Sequence, residues 1–128
     1  MSYGLPNQPL GRTRPPPQVF LNQKIANWFK KTWGGGLVLP SGWFGRPYDN
    51  THQLVSVTET PNGLVVVLDD GHLTLNFRGV PRVEATKSEL IFRSFDRLAF
   101  EWKEYDTMKP HSEEHRGGEV KIVAPPGA

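Results

Sequence analysis

Between Leu54 and Lys103 the hydrophobic pattern changes to period two in short runs, and turn signals interrupt it every few residues. In His72–Leu73–Thr74–Leu75–Asn76–Phe77–Arg78, the residues Leu73, Leu75 and Phe77 share one face, and the polar ones share the other. Leu98, Phe100 and Trp102 repeat the pattern against Arg97, Ala99, Glu101 and Lys103. Side chains on a strand point alternately to opposite faces, so this periodicity predicts half-buried strands and excludes an all-helical fold for this stretch. The breaks at Pro61–Asn62–Gly63, Asp70–Gly71, Lys87–Ser88 and Phe95–Asp96 read as hairpin turns. Parallel strands need crossovers of about a dozen residues or more, and these connections are too short for them. The strands are therefore antiparallel.

The expected strands are Leu54 to Thr60, Leu64 to Asp69, His72 to Arg78, Val80 to Ala85, Glu89 to Phe92, Arg97 to Tyr105 and Glu119 to Val123, preceded by the apolar run Gly36 to Pro40. Leu64–Val65–Val66–Val67–Leu68 is apolar on both faces and is expected to lie centrally, covered on both sides. Residues 107–118 (TMKPHSEEHRGG) read as a polar loop.

The segment before the strands follows a different period. At 100° per residue, residues 18–33 place Leu21, Ile25, Trp28, Phe29, Thr32 and Trp33 on one arc. Gln23, Lys24, Asn27, Lys30 and Lys31 fall on the other. Pro17 suits a first helical position, Gly34–Gly35–Gly36 supplies a stop, and Lys30 and Lys31 complement the dipole of the last turn. The fold class is thus mainly β (α+β): a curled antiparallel meander or small barrel of about seven strands with one N-terminal amphipathic helix. A two-sheet sandwich is the alternative. Residues 1–17 hold five prolines and little to bury, so they are expected to be a disordered, basic, proline-rich tail. Residues 18–124 form a single domain, with the helix at 18–33 and the strands at 36–124, and residues 125–128 form a second tail.

Composition closes several functional classes. With no cysteine among 128 residues, there is no disulfide scaffold, no thiol nucleophile and no thiolate zinc site. No apolar run reaches the ~18 residues of a membrane span, and Met1 to Pro17 lack the apolar core of a secretory signal, so a cytoplasmic location is expected. No cofactor is implied, because Gly34–Gly35–Gly36 follows a helix, whereas a phosphate-cradling glycine loop opens one. The net charge of +2 conceals an asymmetry. Up to Tyr48 the chain carries six basic residues and no acidic one; from Asp49 onward nine basic residues face thirteen acidic. That split permits packing between the two parts of the chain, or an anionic partner for the basic part.

The densest group of recognition-type side chains is Ser41 to His52, with Trp43, Phe44, Arg46, Tyr48, Asp49 and His52 between two strands. Trp, Tyr and Arg combine large area with directed polar groups and dominate binding surfaces. The candidate binding residues are Trp43, Arg46, Tyr48, Asp49 and His52. The leading expectation is a small non-enzymatic interaction domain whose partner is another protein, with self-association left open and no strong nucleic-acid signal. Asp49 and His52 also suit an acid/base pair in a small-ligand cup or minor hydrolase. The basic arm and helix suit a peripheral binder of anionic surfaces. No catalytic set is assigned, because no nucleophile motif accompanies the pair. His111 and His115 stand four apart, a metal-ligand spacing only on a helix, which Pro110 and Gly117–Gly118 oppose; no metal is assigned. Glu101, Glu104 and Asp106 fit a charged edge strand better than a carboxylate pair.

Overall fold

The computed structural model describes residues 21–45 and 51–125. Helix α1 runs Leu21–Thr32. Ten strands follow: β1 Gly36–Leu39, β2 Gly42–Trp43, β3 Leu54–Thr60, β4 Gly63–Leu68, β5 Leu73–Arg78, β6 Arg82–Ala85, β7 Glu89–Arg93, β8 Arg97–Lys103, β9 Pro110–His115 and β10 Val120–Val123. They form two five-stranded antiparallel sheets, ordered β9-β8-β5-β4-β3 and β2-β1-β10-β7-β6. The mainly β, antiparallel class with one helix is therefore correct. The sheets are not closed into a barrel, and the alternative of two sheets is the one adopted.

The chain switches sheets at short corners, which is why a simple meander does not form. β3, β4 and β5 are consecutive hairpin neighbours; residues 79–81 then carry the chain to β6 and β7 in the other sheet. Residues 94–96 return it, so that β8 pairs with β5 in the register Leu75↔Phe100. β10 finally inserts between β1 and β7. The corners are tied by Gly79 N–H donating to Asn62 O at 2.6 Å and by Asp96 N–H donating to Arg78 O at 2.8 Å.

Period two holds where the sequence shows it most cleanly, in β5 and β8. β5 buries Leu73, Leu75 and Phe77 and turns Asn76 and Arg78 outward. Apolar residues of both sheets and of α1 join in one core, where Phe77 of β5 stacks on Phe92 of β7 at 5.0 Å between centroids. β4 lies one place in from the edge rather than at the centre, and only one of its faces is fully covered: Leu64, Val66 and Leu68 are buried, whereas Val65 and Val67 are half-buried.

The helix buries Leu21, Ile25, Trp28, Phe29 and Thr32. It lies along β3, an edge of one sheet, and β6, an edge of the other, and closes that side of the molecule. Two hydrogen bonds fix it to the second sheet: Lys24 Nζ to Val83 O at 3.0 Å and Trp28 Nε1 to Thr86 O at 2.9 Å. Glu59 of β3 accepts the exposed Asn22 N–H at 3.2 Å, so a distant strand supplies the carboxylate that the first turn lacks. Trp33, expected on the buried arc, is 78% exposed. Its φ of 64° ends the helix one residue before the glycines and swings the indole away from the core.

Residues 107–118, expected as a loop, contain strand β9, paired along its length with β8. The segment is polar because it is an edge strand: Pro110, Ser112, Glu113 and Glu114 are exposed, and charge with a proline on an edge discourages further strand addition. β8 is thereby an interior strand. The expected tails, and residues 18–20 of the expected helix, lie outside the described residues apart from Pro125. Among the described residues no helix is long and apolar enough to cross a membrane.

Candidate functional site

One end of the molecule gathers the exit of α1, the chain on either side of the 41–52 stretch, the β4–β5 turn and the β8–β9 turn. The glycines after the helix make the first approach possible. Gly34 has φ 98°, and a Cβ there would collide with the carbonyl oxygen of His52. Gly35 and His52 then form an isolated antiparallel bridge, with His52 N–H donating to Gly35 O at 2.8 Å. Gln53 Nε2 donates to Trp33 O at 2.8 Å. The helix exit and the start of β3 are thus laced together.

The β4–β5 turn completes the junction. Asp69, Asp70 and Gly71 all take positive φ (53°, 57° and 93°), which short polar residues and glycine tolerate best. This turn aims the Asp69 carboxylate at the start of β3. Oδ2 lies 2.6 Å from His52 Nδ1, and Oδ1 accepts Gln53 N–H at 2.8 Å. Tyr105 OH donates to Oδ2 at 3.3 Å. Partial burial works to raise the Asp69 carboxyl, but the hydrogen bonds from His52 and the Gln53 amide, the charge of His52 and the Tyr105 hydroxyl outweigh it and hold the group below its ordinary value. Burial, followed by the neighbouring Asp69 charge, raises the Tyr105 phenol.

A carboxylate only accepts, so Nδ1 of His52 carries the proton. Nε2 is buried and has no hydrogen-bond partner among the described residues. The residue as a whole is only 5% exposed, and its ring lies 6.0 Å from that of Phe44, measured between centroids. Phe44 also meets Phe100 and Trp102 edge-on, at 5.1 and 5.4 Å. Around these groups runs a half-open groove of about 580 Å³, walled by Phe44, His52, Asp69, Asp70, Trp102, Glu104 and Tyr105 among others. Its aromatic walls are braced from behind by imidazoles: His72 stacks on Tyr105 at 4.1 Å and His111 on Trp102 at 4.2 Å. His72 lies in the turn ahead of β5 rather than within the strand, and its Nδ1 donates to Asp69 O at 2.8 Å. Thr107 donates to Glu104 Oε1 at 2.7 Å, and His111 Nε2 lies 2.8 Å from Oε2; the Thr107 hydroxyl first, then His111, hold the Glu104 carboxyl below its ordinary value.

Of the five binding residues expected from sequence, Arg46, Tyr48 and Asp49 lie outside the described residues. Trp43 is on β2, 40% exposed, immediately before Phe44. His52 lines the groove, and its described carboxylate partner is Asp69, seventeen positions away. No spacing motif announces that pair, and Asp69 reads in sequence only as the last residue of a strand, whereas β4 ends at Leu68 and Asp69 opens the turn. Trp102 is legible as a strand residue, but Tyr105, expected on the same strand, lies in the turn after β8, which ends at Lys103; both come to the groove at the β8–β9 end. His111 and His115 sit on a strand, not a helix. Four residues of strand span roughly 13 Å, so the two imidazoles share a face without sharing a ligand position. Among the described residues no group of three His, Cys, Asp or Glu is placed to hold a metal ion.

The chemistry open to this arrangement is recognition. Flat rings and carboxylates side by side suit a cationic group, through cation–π attraction and charge. An imidazole oriented by a carboxylate also resembles a general base, but the only hydroxyls among the groove's described walls are those of Thr51 and Tyr105, and His52 Nε2 is shielded from solvent. Comparison with known protein families, curated proteins and solved structures gives no match.

Proposed function

We propose that the chain is a non-enzymatic binding domain that receives a basic segment of a partner protein in the groove beside residues 41–52. The observation that carries this reading is the groove itself: Phe44, Trp102 and Tyr105 flank Asp69, Asp70 and Glu104, with Lys103 as the single lysine or arginine among its described walls. Exposed aromatic residues stand on it or next to its walls in the chain and hydrogen-bond pattern. Tyr105 is 67% exposed, Trp43 directly precedes Phe44, and Trp33 accepts the hydrogen bond from Gln53. Large exposed aromatics bordering a shaped, polar-floored depression are the composition of a binding hot spot. Arg46, Tyr48 and Asp49 belong to the stretch of sequence between two walls of this groove and enter the proposal as further contacts.

Affinity capture from native lysate tests the reading with three full-length baits: the wild-type chain, Asp70→Asn/Tyr105→Ala, and Arg46→Ala/Tyr48→Ala. The substituted side chains at 70 and 105 are exposed, so the fold should persist. A partner held by the wild type and lost from the Asp70→Asn/Tyr105→Ala bait supports the groove. Partners retained equally by all three baits overturn it.

The second reading, a small-ligand cup or minor hydrolase, draws on the His52–Asp69 pair with Nε2 unpartnered. It requires that a His52→Gln variant lose binding or turnover of a small molecule while the partner protein is still captured.

A further inference from the structure

A second groove, of about 750 Å³, lies on the far side of the helix, between α1 and the β6–β7 turn. It shares no residue with the aromatic groove. Gln23, Lys24, Asn27 and Lys31 line one wall at helical spacing, and Ala85, Thr86 and Lys87 form the other. Three lysines therefore face one depression, and no carboxylate of the described residues lines it. Among the described residues none of Lys24, Lys31 and Lys87 is in an ion pair, whereas Lys121, Arg93 and Arg97 each meet a glutamate. The polar arc of the helix thus does not neutralise the acidic strands. Its charge stays open to solvent.

The groove is also braced. Trp28 Nε1 holds the carbonyl of Thr86, which fixes the turn against the helix, and Lys24 Nζ spends one proton on Val83 O while keeping two. The Thr86 hydroxyl is engaged within its own turn, with Ser88 and Glu89, and is not available to a ligand. Asn27 and Gln23 remain as neutral donors between the lysines. Lys24 and Lys31 are seven residues apart, about 10 Å along the axis, so positive charge is distributed along the length of the groove. An extended chain of phosphates spans such a distance, and Lys87 meets it from the opposite wall.

We propose that this groove binds an oligophosphate, either free or as the phosphate chain of a nucleotide, with Lys24, Lys31 and Lys87 as the charged contacts and Asn27 and Gln23 as hydrogen-bond donors. Attraction between exposed charges is screened over about 10 Å at ordinary ionic strength, so the affinity depends on salt.

The test is isothermal titration of the full-length chain with sodium tripolyphosphate. The wild type should give saturable one-to-one binding that weakens as salt rises from ~50 to ~300 mM. Lys31→Ala/Lys87→Ala should bind about tenfold or more weakly, a loss of about 1.4 kcal/mol or greater. Lys121→Ala, whose lysine already faces Glu89 and Glu119, should bind like the wild type. Thermal melts of all three proteins should coincide, since each substituted side chain reaches solvent. Titration with adenosine triphosphate distinguishes a nucleotide from a bare phosphate chain. The proposal is overturned by absence of saturable binding, or by wild-type affinity in Lys31→Ala/Lys87→Ala. It is equally overturned if phosphatidylserine vesicles or a single-stranded oligonucleotide bind in a Lys31- and Lys87-dependent manner while tripolyphosphate does not.

Discussion

At the residue scale the candidate site depends on one half-buried carboxylate–imidazole contact and one glycine. Asp69 reaches His52 because the β4–β5 turn runs through three positive-φ residues, and it stays ionised because His52, the Gln53 amide and Tyr105 all donate to it. Its carboxyl is lower in the folded chain than its ordinary 3.8, so the folded state holds fewer protons than the unfolded one in that range. The resulting stabilisation is complete above about 3.8 and is lost as pH falls through the folded value. Asp69→Asn should therefore be less stable at neutral pH, by about 1–3 kcal/mol in urea denaturation, and should show a shallower decline of stability below pH 4. A variant with the wild-type acid limb would mean that Asp69 is not held in this way. Gly34→Ala tests the other support. The left-handed backbone and the clash with the His52 carbonyl should together cost about 2–4 kcal/mol, read as a lowered melting temperature.

At the element scale the helix was the most legible part of the chain, and its error is instructive. The five residues Leu21, Ile25, Trp28, Phe29 and Thr32 are buried as their period demands, but the same period also claimed Trp33. Periodicity describes a face and says nothing of where the helix stops; the left-handed turn begins at Trp33 itself and not at the glycines. Ile25→Ala should cost about 2–5 kcal/mol in chemical denaturation, because it empties a fully buried position between two sheet edges. Lys30→Ala, on the open face, should change stability by less than about 0.5 kcal/mol. Strand β9 failed the opposite test. Its sequence Pro–His–Ser–Glu–Glu–His has almost no apolar content, so it carried no amphipathic signal, and its strand geometry comes from pairing with β8. An edge strand covered on one side only needs little hydrophobicity of its own.

At the scale of the whole molecule the two sheets and the helix share one core, joined most directly by the Phe77–Phe92 stack and by Phe44 against Phe100 and Trp102. Phe92→Ala should destabilise both sheets together, by about 3–5 kcal/mol, with tryptophan fluorescence and far-ultraviolet circular dichroism reporting one coincident transition. Separate transitions would show that the sheets fold as independent units. The same core explains the absence of a barrel. β3 and β6 are held apart by α1, which fills the side where a closing ladder would have to form.

Local patterning alone determined the strand period, the antiparallel connections, the buried arc of the helix and the chemistry that a chain without cysteine cannot perform. Those properties follow from side-chain geometry within a few residues. The division into two sheets, the pairing of His52 with Asp69, the aromatic walls at Trp102 and Tyr105, and the lysine groove beneath the β6–β7 turn were decided by tertiary structure. Each joins residues far apart in the chain, and the free energy that selects such contacts comes from burying a shared core, which no single segment encodes.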